Sequence, residues 1–142
     1  MGEKYLEDCL YFNVNRMSRA ITRLAEKCFK DTGLSPTLAF MLMVANNKPG
    51  ISQTELGAEL HIAPSTITRF VDKLVSQQLI ERKANRTKAL IYPTDKGLAL
   101  QQALQHAWND LQGACSEYLG EKNSQELTAL LSHAGDVLEE KN

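Results

Sequence analysis

Ser65, Thr66, Thr68 and Arg69 lie within five residues of one another, directly after Pro64. On a helix that starts there they fall on the side away from Ile67, Phe70, Val71 and Leu74, whose i, i+3, i+4, i+7 spacing marks a buried face. Hydroxyls and a guanidinium near a helix start suit hydrogen bonding to base edges, and arginine matches the two acceptors of guanine in the major groove. Lys73 follows one turn later, and Arg82, Lys83, Arg86 and Lys88 crowd a segment too short to hold a core. Such cations suit phosphate oxygens, which fix register without reading sequence. No residue pattern calls for catalysis: the chain has no phosphate-binding glycine loop, H-E-x-x-H or nucleophile elbow. His61, His106 and His133 fall at no metal-ligand spacing with a cysteine or carboxylate. No catalytic residue, metal or cofactor is therefore expected, and the chain does not read as an enzyme.

The elements that must position these side chains are legible between residues 52 and 97 as helix, tight turn, helix and β-hairpin. Ser52 and Glu55 have capping-box spacing, with Ile51 and Leu56 as a hydrophobic staple. Leu56 and Leu60 share a face, and Gly57 sits where a crossing backbone needs room. The turn at His61-Ile62-Ala63 calls for a residue tolerant of positive φ, which His61 supplies better than most. Pro64 then opens the second helix, where a missing N–H is accepted. Strands are expected at 80–84 and 88–92 around Asn85-Arg86-Thr87, the second strand alternating Ala89, Leu90, Ile91, Tyr92. Taken alone, the second helix reads equally as an ordinary solvated helix, and the hairpin as one blunted by lysine. Recognition helix and basic hairpin in this order favour a winged helix-turn-helix on duplex DNA, the hairpin touching phosphates or the minor groove.

The run ISQTELGAELHIAPSTITRFVDKLVSQQLIERK, with LIYPTDKG after it, closely resembles the MarR family of bacterial transcription regulators. S-T-I-T-R-F-V-D-K-L is its specific part, T-D-K-G supports it, and the flanking helices fit in order and length. The resemblance implies a homodimer with two winged helices, a pseudo-palindromic operator in double-stranded DNA, and often a small-molecule effector. It implies Ser65, Thr66, Thr68 and Arg69 at bases, and Lys73, Arg82, Lys83, Arg86 and Lys88 at the DNA backbone or in the wing. The chain departs from the family at His61, where glycine is usual, and at Ala63, where a capping residue is common. The wing tip lacks the aspartate that usually orients its arginine, so Arg86 takes that role without its partner.

A length of 142 residues with 43% apolar content suits one compact protomer. The net charge of −1 is uninformative, but its distribution is not. Residues 63–97 hold seven basic side chains against three acidic, and residues 98–142 two against seven. Positive charge is thus concentrated on the proposed DNA-binding module. Cys9, Cys28 and Cys115 are odd in number and widely spaced, which argues against disulfides and zinc fingers. With no membrane-spanning run and no signal-peptide pattern, a cytoplasmic protein with no membrane partner is expected.

The expected class is mainly α with a small β-hairpin wing: an N-terminal dimerisation helix in 1–33, the winged helix-turn-helix in 34–97 and C-terminal dimerisation helices in 98–142. Residues 5–30 read as one helix with a seam from Leu6 to Cys28, stopped by Gly33. Ser35 and Pro36 start a second helix, apolar on every side from Leu38 to Ala45. Thr94 caps a helix expected to run to about Leu119, and Asn123 and Glu126 have capping-box spacing before a last helix. One winged helix cannot bury these seams, whereas a two-fold dimer can, and it would set two recognition helices ~34–36 Å apart. An intramolecular helical subdomain is the alternative. Trp108 and Tyr118 are candidates for an effector pocket, or simply for core. Cys9 is a candidate redox sensor by resemblance to a hydroperoxide-sensing branch of the family, although Tyr11 aligns with that branch's cysteine; packing is the other reading of Cys9. A winged-helix module that binds another protein is the competing function, and it would need no basic recognition face.

Overall fold

The computed structural model describes residues 3–142, and the chain opens with two helices, α1 (Lys4–Glu7) and α2 (Leu10–Phe29). The single helix expected over 5–30 is therefore broken near its start. Cys9 is extended (ψ 119°), and Asn13 Nδ2 donates to the carbonyls of Glu7 (2.8 Å) and Cys9 (3.0 Å). A side chain that reaches back to carbonyls at the break offers the backbone an alternative to the helical ladder. A 3₁₀ turn, Lys30–Thr32, follows α2 and stops at Gly33, whose φ of 76° is left-handed as expected.

Ser35 Oγ accepts the Leu38 N–H (3.4 Å) and Pro36 opens α3 (Pro36–Asn47). Leu38, Ala39, Met41, Leu42 and Ala45 of α3 are buried, which explains a helix apolar on every side. Phe29 meets Phe40 edge to face, with ring centroids 5.5 Å apart. A two-residue strand, β1 (Ile51–Ser52), leads into α4 (Gln53–Glu59), with the Ser52 hydroxyl accepting the Glu55 N–H (3.1 Å). The tight turn places His61 at φ 53°. A Cβ on Gly57 would stand 3.3 Å from the Ile62 carbonyl oxygen, so a side chain there would press on the turn. α5 (Pro64–Ser76) starts after Ala63 without a side-chain cap and buries Ile67, Val71 and Leu74.

The hairpin is β2 (Ile80–Asn85) and β3 (Lys88–Pro93), joined at Arg86-Thr87, with Arg86 at φ 58°. β1 was not anticipated: it pairs antiparallel with β3 and completes a three-stranded sheet in the order β1-β3-β2. Two residues are too few for a periodic signal, so only the pairing reveals the strand. Arg82 pairs with Ile91, and Lys83 with Leu90. Because strand side chains alternate, Arg82 shares a face with Ile80 and Ile91, both buried, whereas Lys83 faces the other way with Glu81.

Thr94 Oγ1 accepts the Gly97 N–H (3.0 Å) at the start of α6 (Asp95–Ala99). The one helix expected from Thr94 to Leu119 is divided at Leu100, whose N–H turns back to Gly97 (3.2 Å), and α7 (Gln101–Leu119) follows. Leu104 and Ala107 of α7 are buried. Gly120, at φ 89°, lets α8 (Glu121–Lys141) begin at once. The capping role expected for Asn123 is absent: its Nδ2 donates back to the Leu119 carbonyl (3.0 Å). The chain divides into two compact units, the first ending at Ala107 and the second comprising Trp108–Asn142. Among the described residues no helix is long and apolar enough to cross a membrane.

Candidate nucleic-acid interface

The outward side of α5 is set by its inward side. Burial of Ile67, Val71 and Leu74 turns Ser65, Thr68, Arg69, Asp72 and Lys73 outward, all exposed, with Thr66 half-buried beside them. Ala63 has no side chain to engage the first N–H groups of α5, and its own carbonyl takes those of Thr66 (3.0 Å) and Ile67 (2.9 Å). The first turn thus presents two hydroxyls, those of Ser65 and Thr66, at the start of the helix. Among the described residues, the side chains of Arg69, Lys73, Arg86 and Lys88 have no ion-pair or hydrogen-bond partner. Four cations without partners, on the exposed face of one helix and at the tip of one hairpin, are available to an anion brought from outside.

Thr68 and Arg82 are placed differently. The Thr68 hydroxyl donates to the Pro64 carbonyl (3.0 Å) and accepts from Gln53 Nε2 (3.0 Å). Arg82 donates from Nε to Gln53 Oε1 (3.2 Å) and from Nη2 to Asp72 Oδ1 (2.6 Å). Arg82 was expected at phosphates with its neighbours, but its guanidinium is turned toward α5 and is occupied. Lys83, on the opposite face, lies 5.0 Å from the Tyr92 ring centroid and 4.0 Å from Glu81. Gln53 and Asp72 did not emerge from the sequence. The alternation from buried Ile80 to Arg82 was the one signal that could have found them, because it turns Arg82 toward whatever α5 presents.

The other end of α5 is clamped. Leu79 N–H donates to the Leu74 carbonyl (3.0 Å), with Gln78 at φ 62° between them. Thr94 reaches the exposed carbonyls twice, its N–H to Leu79 (3.1 Å) and its hydroxyl to Gln78 (2.7 Å). Lys96 Nζ donates to the Gln77 carbonyl (3.0 Å), a cation where the helix dipole favours one. At Gly97 a Cβ would stand 2.2 Å from the Leu79 carbonyl oxygen. The T-D-K-G turn is therefore a C-terminal fastening for α5.

An open groove of about 910 Å³ runs beside this fastening, lined by Val75, Gln78, Ile80, Arg82, Thr94 and Lys96 among others. A smaller one of about 320 Å³ lies between α4 and α5. Neither is lined by the aromatic pair proposed for an effector: Trp108 is 38% exposed and Tyr118 71%. Cys9 is half-buried at the break before α2, and Cys28 and Cys115 are half-buried as well. The Lys48 ammonium bonds Glu59, the last residue of α4, and holds that carboxyl below the ordinary glutamate range. No metal-binding group of histidine, cysteine, aspartate or glutamate occurs among the described residues.

Comparison with known proteins bears on this geometry. The MarR family model matches residues 34–87, from before α3 into the wing turn. The chain is 31% identical over 103 residues to the HTH-type transcriptional regulator MhqR of Bacillus subtilis (strain 168), an alignment covering 70% of each protein. The fold matches that of the transcriptional repressor CouR bound to p-coumaroyl-CoA, with a TM-score of 0.85 at 22% identity over 95% of this chain and 97% of that one. It matches CouR bound to a 23-mer DNA duplex with a TM-score of 0.83, again at 22% identity, over 95% and 98%.

Proposed function

The chain belongs to the MarR family of transcriptional regulators, and from that premise we propose that it is a homodimer that binds a pseudo-palindromic operator in double-stranded DNA and changes affinity with a small-molecule effector. The observation that carries the reading is the set of unpartnered cations and free hydroxyls on α5 and the hairpin tip. Ser65, Thr66 and Arg69 approach base edges in the major groove, Lys73, Lys83 and Lys88 engage phosphates, and Arg86 leads the wing toward the minor groove. CouR, bound to a 23-mer DNA duplex in one structure and to p-coumaroyl-CoA in another, supports this reading. An effector acts on this chain by binding better to one spacing of the two recognition helices than to another. The exposed aromatics Trp108 and Tyr118 are our candidates for that pocket once a second copy covers them.

Binding to duplexes tiled across the region upstream of its own coding sequence, at two salt concentrations, tests the reading. The expected result is one tightly bound duplex whose affinity falls steeply with salt. Arg69→Ala then costs about 1–3 kcal/mol and relaxes sequence preference, whereas Arg86→Ala weakens all duplexes alike and lowers the salt slope by about 1. Uniformly weak binding to every duplex, with a protein complex that forms without DNA and ignores salt, would establish the interaction-module alternative instead.

A further inference from the structure

Gln53 stands at the first turn of α4, outside the recognition helix and outside the wing, yet it touches both. Its amide can point only one way. A guanidinium has donors and no acceptor, so Gln53 Oε1 must face Arg82 and Nε2 must face Thr68. The Thr68 hydroxyl has one hydrogen, which goes to the Pro64 carbonyl, so Oγ1 meets Gln53 as an acceptor. The relay runs from Asp72 through Arg82 and Gln53 to Thr68 and ends on the Pro64 carbonyl, with each donor matched to an acceptor at 2.6–3.2 Å. It begins and ends on α5, eight residues apart from Pro64 to Asp72, and passes through β2 and α4 between.

We infer that Gln53 and Arg82 are positioning residues for operator recognition: together they fix the rotamer of Thr68 and the angle between wing and recognition helix, and they do not themselves contact DNA. This rests on the DNA-binding reading above and reassigns two side chains within it. Two further observations support it. Arg82 occupies the inward face of β2, in register with Ile91, and its side chain is only 33% exposed. The cations that remain without partners, Arg69, Lys73, Arg86 and Lys88, suffice for the anion-facing role. A recognition surface held in place before contact avoids the ordering that binding otherwise demands.

The test uses a duplex that the wild-type protein enriches from a randomised pool, beside a scrambled duplex of equal length, with dissociation constants measured across a salt series. Arg82→Lys keeps the charge but loses the planar fork, and Gln53→Ala leaves charge untouched. Each is expected to reduce the ratio of selected to scrambled affinity by about tenfold, with the salt slope and the affinity for the scrambled duplex unchanged. The double variant is expected to lose no more than the larger single loss, because either change breaks the same relay. Thermal midpoints within a few degrees of wild type accompany these losses, since none of the four residues is buried. If Arg82→Lys keeps the wild-type ratio while Arg82→Ala lowers the slope by about 1, Arg82 is a phosphate contact and the inference falls. Multiplying losses in the double variant would likewise overturn it, as independent contacts behave that way. A wild-type protein that enriches no duplex would bring down the functional reading and this inference together. Variants that retain full discrimination would bring down only the inference.

Discussion

A Cβ added at Gly97 would stand 2.2 Å from the Leu79 carbonyl oxygen and 3.1 Å from Leu42 Cδ1, so no rotamer relieves it and the backbone must move. That carbonyl also accepts the Thr94 N–H, which ties the clash to the fastening of α5. Gly97→Ala is expected to destabilise by about 1–3 kcal/mol, seen as a lower denaturant midpoint at unchanged slope. The pair formed by Lys48 and Glu59 makes a smaller demand. Lys48 lowers the Glu59 pKa, so the pair's contribution is present above the ordinary glutamate range and is lost as pH falls through the depressed value. Glu59→Gln should therefore unfold slightly more easily than wild type at neutral pH and equally once pH lies below the depressed value, and chemical denaturation at both pH values checks it. Single residues were also where the sequence was least transparent. Arg82 and Lys83 are adjacent and both basic, and composition treats them alike. Only the buried Ile80 two positions earlier separates one that faces α5 from one that faces out.

Elements were legible where a hydroxyl, a proline or a glycine marked their ends. Ser35, Ser52 and Thr94 each accept the N–H three residues on, and Gly33 takes the left-handed stop that its position demanded. What escaped was shorter than any period or depended on a partner element. β1 has two residues and exists because β3 lies beside it, and the break between α1 and α2 is held by Asn13 reaching back to two carbonyls. Asn123 shows the converse, a residue with the right spacing for a cap whose side chain serves the preceding helix instead. At the helix-turn-helix turn, His61 adopts φ 53°, a left-handed conformation that disfavours side chains by roughly 1–2 kcal/mol. Glycine relieves that strain and gives back part of the gain as chain entropy in the unfolded state. His61→Gly is expected to stabilise the protein by up to about 1 kcal/mol with DNA affinity unchanged, measured by denaturant midpoint. A loss of stability would mean that contacts of the imidazole outweigh the backbone term.

At the scale of the whole molecule, the apolar seams demand an explanation that one chain does not supply. Leu10 is 70% exposed on α2 and Leu130 67% on α8, and no residue of α8 is buried. Large apolar side chains left in water on helices at both ends of the sequence are what a second copy would cover, and a two-fold axis would present the same faces twice. Charge agrees: residues 63–97 carry the positive excess and residues 98–142 the negative one, so the helices proposed to pair two copies are not those proposed to meet phosphate. Sedimentation equilibrium is expected to return twice the 15.8 kDa chain mass at micromolar concentration. Leu130→Glu puts a charge where a partner's apolar surface would lie, and burying it unpaired disfavours association strongly while an isolated chain tolerates it in water. That variant should sediment closer to one chain mass, keep its helical circular dichroism, and bind the full operator no better than a half-site, because linked half-sites contribute 10²-fold or more in avidity. If the wild-type protein sediments as one chain and still discriminates the full operator, the exposed seams have another occupant and the dimer proposal is wrong.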